Sequence, residues 1–153
     1  MKPKIYIDTS VVGGFFDDEF KEATQRLFDR LVNDEVCFVL SDILDLELIQ
    51  APQQIRELLL HYPPERFLRV EITEEAAVLA DRYILEGVVG RSSLTDCRHI
   101  AVATVHRVDV VASWNFKHIV NLERIKGYNS VNLRMGYPSV EIRTPQELVS
   151  YGE

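Results

Sequence analysis

Lys4-Ile5-Tyr6-Ile7-Asp8-Thr9-Ser10 is a short β-forming run that stops abruptly in three polar residues. A continuous apolar run of this length suits a strand covered on both faces, so residues 4–8 are expected as a buried first strand that leaves its sheet at Asp8. Gly13-Gly14 then marks a turn or a close backbone approach. Further on, Phe20, Ala23, Leu27 and Leu31 recur at helical spacing and predict a helix over about 18–33. Residues 36–40 read as a second strand, with Ser41 as N-cap of a helix running to about 50. Pro52 starts another short helix at its first turn, ending before Pro63-Pro64.

The alternation continues to the end of the chain. Residues 67–72 form a third strand, and Thr73 caps a helix carrying Ala76, Leu79, Ala80, Tyr83 and Ile84, stopped near Gly87. Ser92-Ser93 opens a helix rich in small residues (Cys97, Ala101, Ala103, Thr104), expected as the most buried one because small side chains permit close packing. A strand at 109–113, a loop at 114–117 and a last strand at 139–143 follow. Thr144-Pro145-Gln146-Glu147 is a capping box with proline at the first helical position. Strands alternating with helices imply an α/β fold with a mostly parallel sheet and helices on both faces. The order of the strands does not follow from the pattern.

The 153 residues suit one domain, 1–153, with no repeat, linker or low-complexity tract. Hydrophobic residues make up 46% of the chain, enough for a real core, which excludes disorder of the body. The longest apolar runs fall far short of the ~20 residues a bilayer span needs, and no signal peptide is visible, so a cytoplasmic protein away from membranes is expected. Cys37 and Cys97 lie on separate elements and read as reduced thiols, neither a disulfide framework nor a zinc site. The net charge of −7 argues against a protein that coats nucleic acid by charge alone. That charge is uneven: residues 1–50 carry 5 basic and 11 acidic groups, whereas 107–143 carry 6 basic and 3 acidic ones.

Ligands of an open parallel sheet bind outside the carboxyl ends of its strands. Asp8 sits at such an end, Glu47 two turns into the helix after the second strand, Asp96 in the first turn of the small-residue helix, and Asn115 just past the fourth strand. Three carboxylates in one crevice repel unless a cation neutralises them, and hard oxygen donors suit Mg²⁺ or Mn²⁺. Each residue also has a plainer reading. Asp8 suits a turn, Glu47 a solvated helix face with Asp45 as its competitor, Asp96 a Ser93-x-x-Asp96 capping box, and Asn115 a loop. Nucleotide-cradling glycine motifs, a CxxC pair and a Gly-x-Ser-x-Gly elbow are all missing from the sequence.

Four segments together resemble one family. Ile5-Tyr6-Ile7-Asp8-Thr9-Ser10-Val11, Ser41 with Glu47-Leu48, Ser93-x-x-Asp96-x-x-His99-Ile100-Ala101, and Ala112-Ser113-Trp114-Asn115-Phe116-Lys117-His118 resemble the PIN-domain family of VapC-like ribonuclease toxins and their relatives. The resemblance covers nearly the whole chain, in order. It implies a three-layer α/β/α sandwich and a metal-dependent ribonuclease in which Asp8, Glu47 and Asp96 bind Mg²⁺ or Mn²⁺. It favours Glu47 over Asp45, and matches Thr9 or Ser10 to the small polar position that supports the site. It also implies an RNA substrate, a small antitoxin partner and a homodimer; given an RNA substrate, Lys117 and Arg91 are expected to meet its phosphates as charge-assisted donors. Many members carry a fourth acidic residue where this chain has Asn115, which looks like a branch of the family. An amide oxygen still ligates a cation or positions its water but adds no charge. That departure supports an alternative, a PIN-fold binding or regulatory protein with weak or lost nuclease activity. His99 reads as a supporting residue beside the core. Trp114 and Phe116 read as core packing, with base stacking as the competing role.

Overall fold

A computed structural model of the protein describes residues 1–150. Its strands are β1 (Lys4–Ile7), β2 (Cys37–Ser41), β3 (Phe67–Val70), β4 (Val110–Ala112) and β5 (Ile142–Arg143). Helices α1 (Thr9–Gly14), α2 (Lys21–Val32), α3 (Asp42–Ile49), α4 (Gln53–Glu57), α5 (Glu74–Leu85), α6 (Leu94–Val105), α7 (Leu122–Arg134) and α8 (Pro145–Ser150) separate and follow them. All four pairings are parallel, in the order β3-β2-β1-β4-β5. The expected α/β class is therefore found, and the strand order adds what periodicity does not give.

That order places the site. From β1 the chain builds outward through β2 to β3, then crosses back to lay β4 on the other flank of β1 and β5 beyond it. The reversal falls between β1 and β4, where a crevice opens at the carboxyl ends of an open α/β sheet. Ile5 pairs with Val110 and Ile7 with Ala112, so Asp8 and Ser113 leave the sheet side by side.

Alternation along the strands divides the core in two. Tyr6, Val39, Val111 and Ile142 face one layer, where they pack with Ala76, Leu79, Tyr83, Ile100 and Tyr128 from α5, α6 and α7. Ile5, Ile7, Phe38, Leu40, Val110 and Ala112 face the other, against Val11, Leu27, Phe28, Leu44 and Val149. Every strand of a sheet covered on both faces reads as a nearly continuous apolar run, which is why β1 and β2 were visible in the sequence. Seven of the twelve residues of α6 are buried, as its small side chains predict.

Several local expectations change. Gly13-Gly14 is no turn but the end of α1; the close approach is real, because a Cβ on Gly14 would lie 2.8 Å from the Trp114 ring. Pro52 takes the N-cap of α4 rather than its first helical position. Helix α6 is preceded by one 3₁₀ turn, Arg91–Ser93. Helix α7 was not expected at all. The capping box at Thr144 forms as written: the Glu147 carboxylate accepts from the Thr144 amide at 3.0 Å, and the Thr144 hydroxyl accepts from the Glu147 amide at 3.1 Å.

Candidate functional site

Asp8 follows the last residue of the central strand and is only 4% exposed. Its extended backbone and short carboxylate make it the N-cap of α1. Oδ1 accepts from the Ser10 hydroxyl at 2.6 Å and the Val11 amide at 3.3 Å, while Oδ2 accepts from the Ser113 hydroxyl at 2.6 Å. Burial pushes its carboxyl above the usual range, and the nearby His99, the two hydroxyls and the Val11 amide offset that only in part.

Glu47 is carried by α3, whose start is fixed by Ser41: its hydroxyl accepts from the Leu44 amide at 3.3 Å. Two donors converge on one oxygen of Glu47. Oε1 lies 2.6 Å from the Thr9 hydroxyl and 2.6 Å from Nε2 of His99. Burial opposes ionisation here too, but the bonds from His99 and Thr9 outweigh it and hold the carboxyl below its usual range. Asp45, the competitor, pairs instead with Arg69 at 3.2 Å on the exposed side of α3.

Asp96 lies in the first turn of α6. The capping-box alternative fails, because Ser93 makes no side-chain cap bond at this helix. The Asp96 carboxylate accepts no hydrogen bond from the described residues, leaving its lone pairs available. Burial raises its pKa most, and the charges of Asp8 and Glu47 raise it further against the opposing His99 and His118. Through Thr9, next to Asp8, and His99, one turn after Asp96, Glu47 ties the three carboxylate-bearing segments together.

Ser113 is the site residue that the sequence reading missed; its only signal was a small polar residue closing the fourth strand. Its hydroxyl joins Asp8 to the next loop by accepting from the Asn115 amide at 3.0 Å. The Asn115 side-chain oxygen accepts from the His118 amide at 3.0 Å, and its carbonyl accepts from the Val120 amide at 2.8 Å. Asn115 thus closes the loop that borders the crevice. Trp114 stacks on Phe20 with ring centroids 4.2 Å apart, and its Nε1–H donates to the Thr24 hydroxyl at 2.9 Å. Packing explains Trp114. Phe116 is different, being 51% exposed at the end of the same aromatic row. Lys117 is exposed beside it. Arg91 lines a separate groove with Val78, Arg82 and Leu85, which none of the three carboxylates borders.

Among the described residues, no three His, Cys, Asp or Glu side chains stand close enough to hold an ion as a ready-made cage. A small hard cation does not require one. Mg²⁺ keeps several waters and is held through one or two carboxylates with substrate oxygens completing the shell. The donors here are all oxygens, and Asp96 together with Oε2 of Glu47 carries no hydrogen bond from the described residues. In chemistry the set fits Mg²⁺ or Mn²⁺.

No family model matches the chain, and no curated protein matches it. Its fold has many solved counterparts. VapBC2 from Rickettsia felis, solved on a DNA fragment from its promoter, superposes with a TM-score of 0.58 at 10% identity, covering 92% of this chain and 98% of that one. FitAcB from Neisseria gonorrhoeae gives a TM-score of 0.59 at 17% identity over 92% and 97% of the two chains. VapC20 from Mycobacterium tuberculosis, a toxin that cleaves the sarcin-ricin loop, gives 0.57 at 11% identity over 74% of this chain and 91% of that one. The fold is thus the PIN-like α/β fold of VapC-type toxins. Among the described residues, no helix is long and apolar enough to cross a membrane.

Proposed function

We propose that the protein is a Mg²⁺- or Mn²⁺-dependent endoribonuclease of the VapC type. What supports this reading is that Glu47 is bonded both by Thr9, next to Asp8, and by His99, one turn after Asp96, at the carboxyl ends of the central strands of a fold shared with such toxins. A divalent ion held there supplies Lewis-acid polarisation of the scissile phosphate and a water acidic enough to act near neutral pH.

The chain's own residues do the remaining work. Ser10, Ser113 and the Val11 amide hold Asp8 in one orientation, so its charge is delivered without reorganisation. Thr9 holds Glu47, and Asp96 offers uncommitted oxygens. Lys117 is available to a phosphate of the RNA as a charge-assisted donor. Hydrolysis in this reading leaves a 5′-phosphate and a 3′-hydroxyl.

A small antitoxin protein completes the proposal, as do a homodimer and a cytoplasmic setting. What supports the antitoxin is a groove of about 640 Å³ beside Glu47, bordered by Ile43, Leu46, Ile72 and Ala77, with the acidic α3 along its edge. An amphipathic basic segment suits such a groove.

One observation favours the alternative of a binding protein with weak or lost nuclease activity: the Asn115 oxygen is committed to its own loop. One experiment separates the two. Purified protein incubated with structured RNA and Mn²⁺ is expected to cleave it, and the Asp8→Asn variant to leave it intact. Equal cleavage by the two proteins, or none by the wild type, refutes the nuclease reading.

A further inference from the structure

A line of hydroxyl and imidazole groups runs behind Glu47, on the face of the sheet that α6 covers, from the start of α3. The Ser41 hydroxyl is 2.8 Å from the Tyr6 hydroxyl, which is 2.6 Å from Nδ1 of His99, whose Nε2 is 2.6 Å from Oε1 of Glu47. Ser41, Tyr6 and His99 are at most 2% exposed, closed off from bulk solvent. Three elements contribute: β1, the β2–α3 junction and α6.

Counting protons gives the chain one direction. Ser41 already accepts from the Leu44 amide, so the partner left for its own proton is the Tyr6 oxygen. Tyr6 must then donate its single proton to Nδ1 of His99. An Nδ1 that accepts carries no hydrogen, and the ring proton therefore resides on Nε2, facing the carboxylate. The opposite direction would leave the buried Ser41 proton without an acceptor, a loss buried groups rarely tolerate.

We propose that His99 is a positioning residue, locked by Ser41 and Tyr6 in the Nε2–H tautomer, that pins Oε1 of Glu47 and reserves Oε2 for ligand. Thr9 donates to the same Oε1, so both protein bonds fall on one oxygen and the other is left for a cation or its water. Such outer partners fix a ligand's orientation before the ion arrives, and their loss typically costs about 10–100-fold in metal affinity. The role given to Oε2 rests on the metal reading above. The tautomer does not.

Two measurements on the full chain test the two halves separately. In ¹⁵N-labelled protein, long-range ¹H–¹⁵N correlations are expected to show His99 with a bare Nδ1 and a protonated Nε2, and Tyr6→Phe to lose that single tautomer. A proton on Nδ1 in the wild type overturns the proposal. Calorimetric titration with Mn²⁺ alone is expected to show His99→Ala binding about 10–100-fold more weakly. His99→Gln, which keeps a donor at the Nε2 position, should recover most of that loss. Wild-type affinity in His99→Ala, or equal losses in the two variants, also overturns it. If the wild type binds no Mn²⁺, the metal reading fails and the role of Oε2 falls with it, while the spectrum still decides the tautomer.

Discussion

The hydroxyl of Ser113 donates to Oδ2 of Asp8 at 2.6 Å, tying the ends of β1 and β4 together through their side chains just beyond the backbone ladder. The Ser113 hydroxyl oxygen also accepts from the Asn115 amide, so one hydroxyl orders both a site carboxylate and the loop beside it. Ser113→Ala removes both bonds and strands a buried carboxylate oxygen. The expected loss is about 1–3 kcal/mol, read as a lower urea midpoint at unchanged slope, together with weaker RNA cleavage.

Asp8 carries a carboxyl whose pKa burial raises above its unfolded value. The sign follows from linkage. Stability from such a group is full below the unfolded pKa of about 3.9 and is lost as pH rises through the higher folded value. Asp8→Asn removes that penalty while keeping an N-cap, so at neutral pH it should melt above the wild type. The difference should vanish by about pH 3, where both side chains are neutral. Mn²⁺ should raise the melting temperature of the wild type more than that of the variant. A variant that melts lower at neutral pH would show that the carboxylate's hydrogen bonds outweigh its burial.

Asn115→Asp keeps an oxygen able to accept from the His118 amide and adds a fourth negative charge at the crevice. Metal-free protein should then melt lower through like-charge repulsion. Mn²⁺ affinity should rise about tenfold, the lower end of what a group around a metal contributes, and cleavage should rise with it. Unchanged Mn²⁺ affinity would mean that this loop lies outside the ion's reach.

The aromatic row beside the crevice divides between stability and binding. Trp114→Ala removes a stacked ring and its bond to Thr24, for an expected cost of about 3 kcal/mol in unfolding free energy. Phe116→Ala should leave stability within about 0.5 kcal/mol. It should instead weaken single-stranded RNA binding by about 1–3 kcal/mol, measured by fluorescence anisotropy. Unchanged RNA affinity would remove the stacking role.

What the sequence disclosed follows from which interactions are local. Asp8 was legible because the apolar run of β1 ends on it, and the capping box at Thr144 because its two partners are three residues apart. Helix α7 was hidden by Gly127, Asn129 and Ser130, poor helix formers; for Gly127 and Asn129 the reason is tertiary. A Cβ on Gly127 would lie 2.8 Å from Val88, and Asn129 is turned to the backbone of Val140, donating at 3.0 Å and accepting at 2.7 Å. The partnership of Tyr6 with His99 spans 93 positions and exists only because β1 lies between β2 and β4 under α6. Tyr6 in the sequence is one more β-forming residue. Ser113 belongs with it, since its meaning depends on which strand lies beside β1.

Asp8 caps α1 with the same carboxylate that faces the crevice, whereas Asp96 makes no hydrogen bond to the described protein. The two are therefore unequal witnesses to ancestry. On the nuclease reading, a relative without catalysis would still need a capping side chain at position 8, and an aspartate there would persist. Among the described residues no hydrogen bond retains a carboxylate at position 96, where it only complements the first turn of α6. Drift at that position in any relative would be the earliest trace of an abandoned enzyme, and constancy there the better sign of a working one.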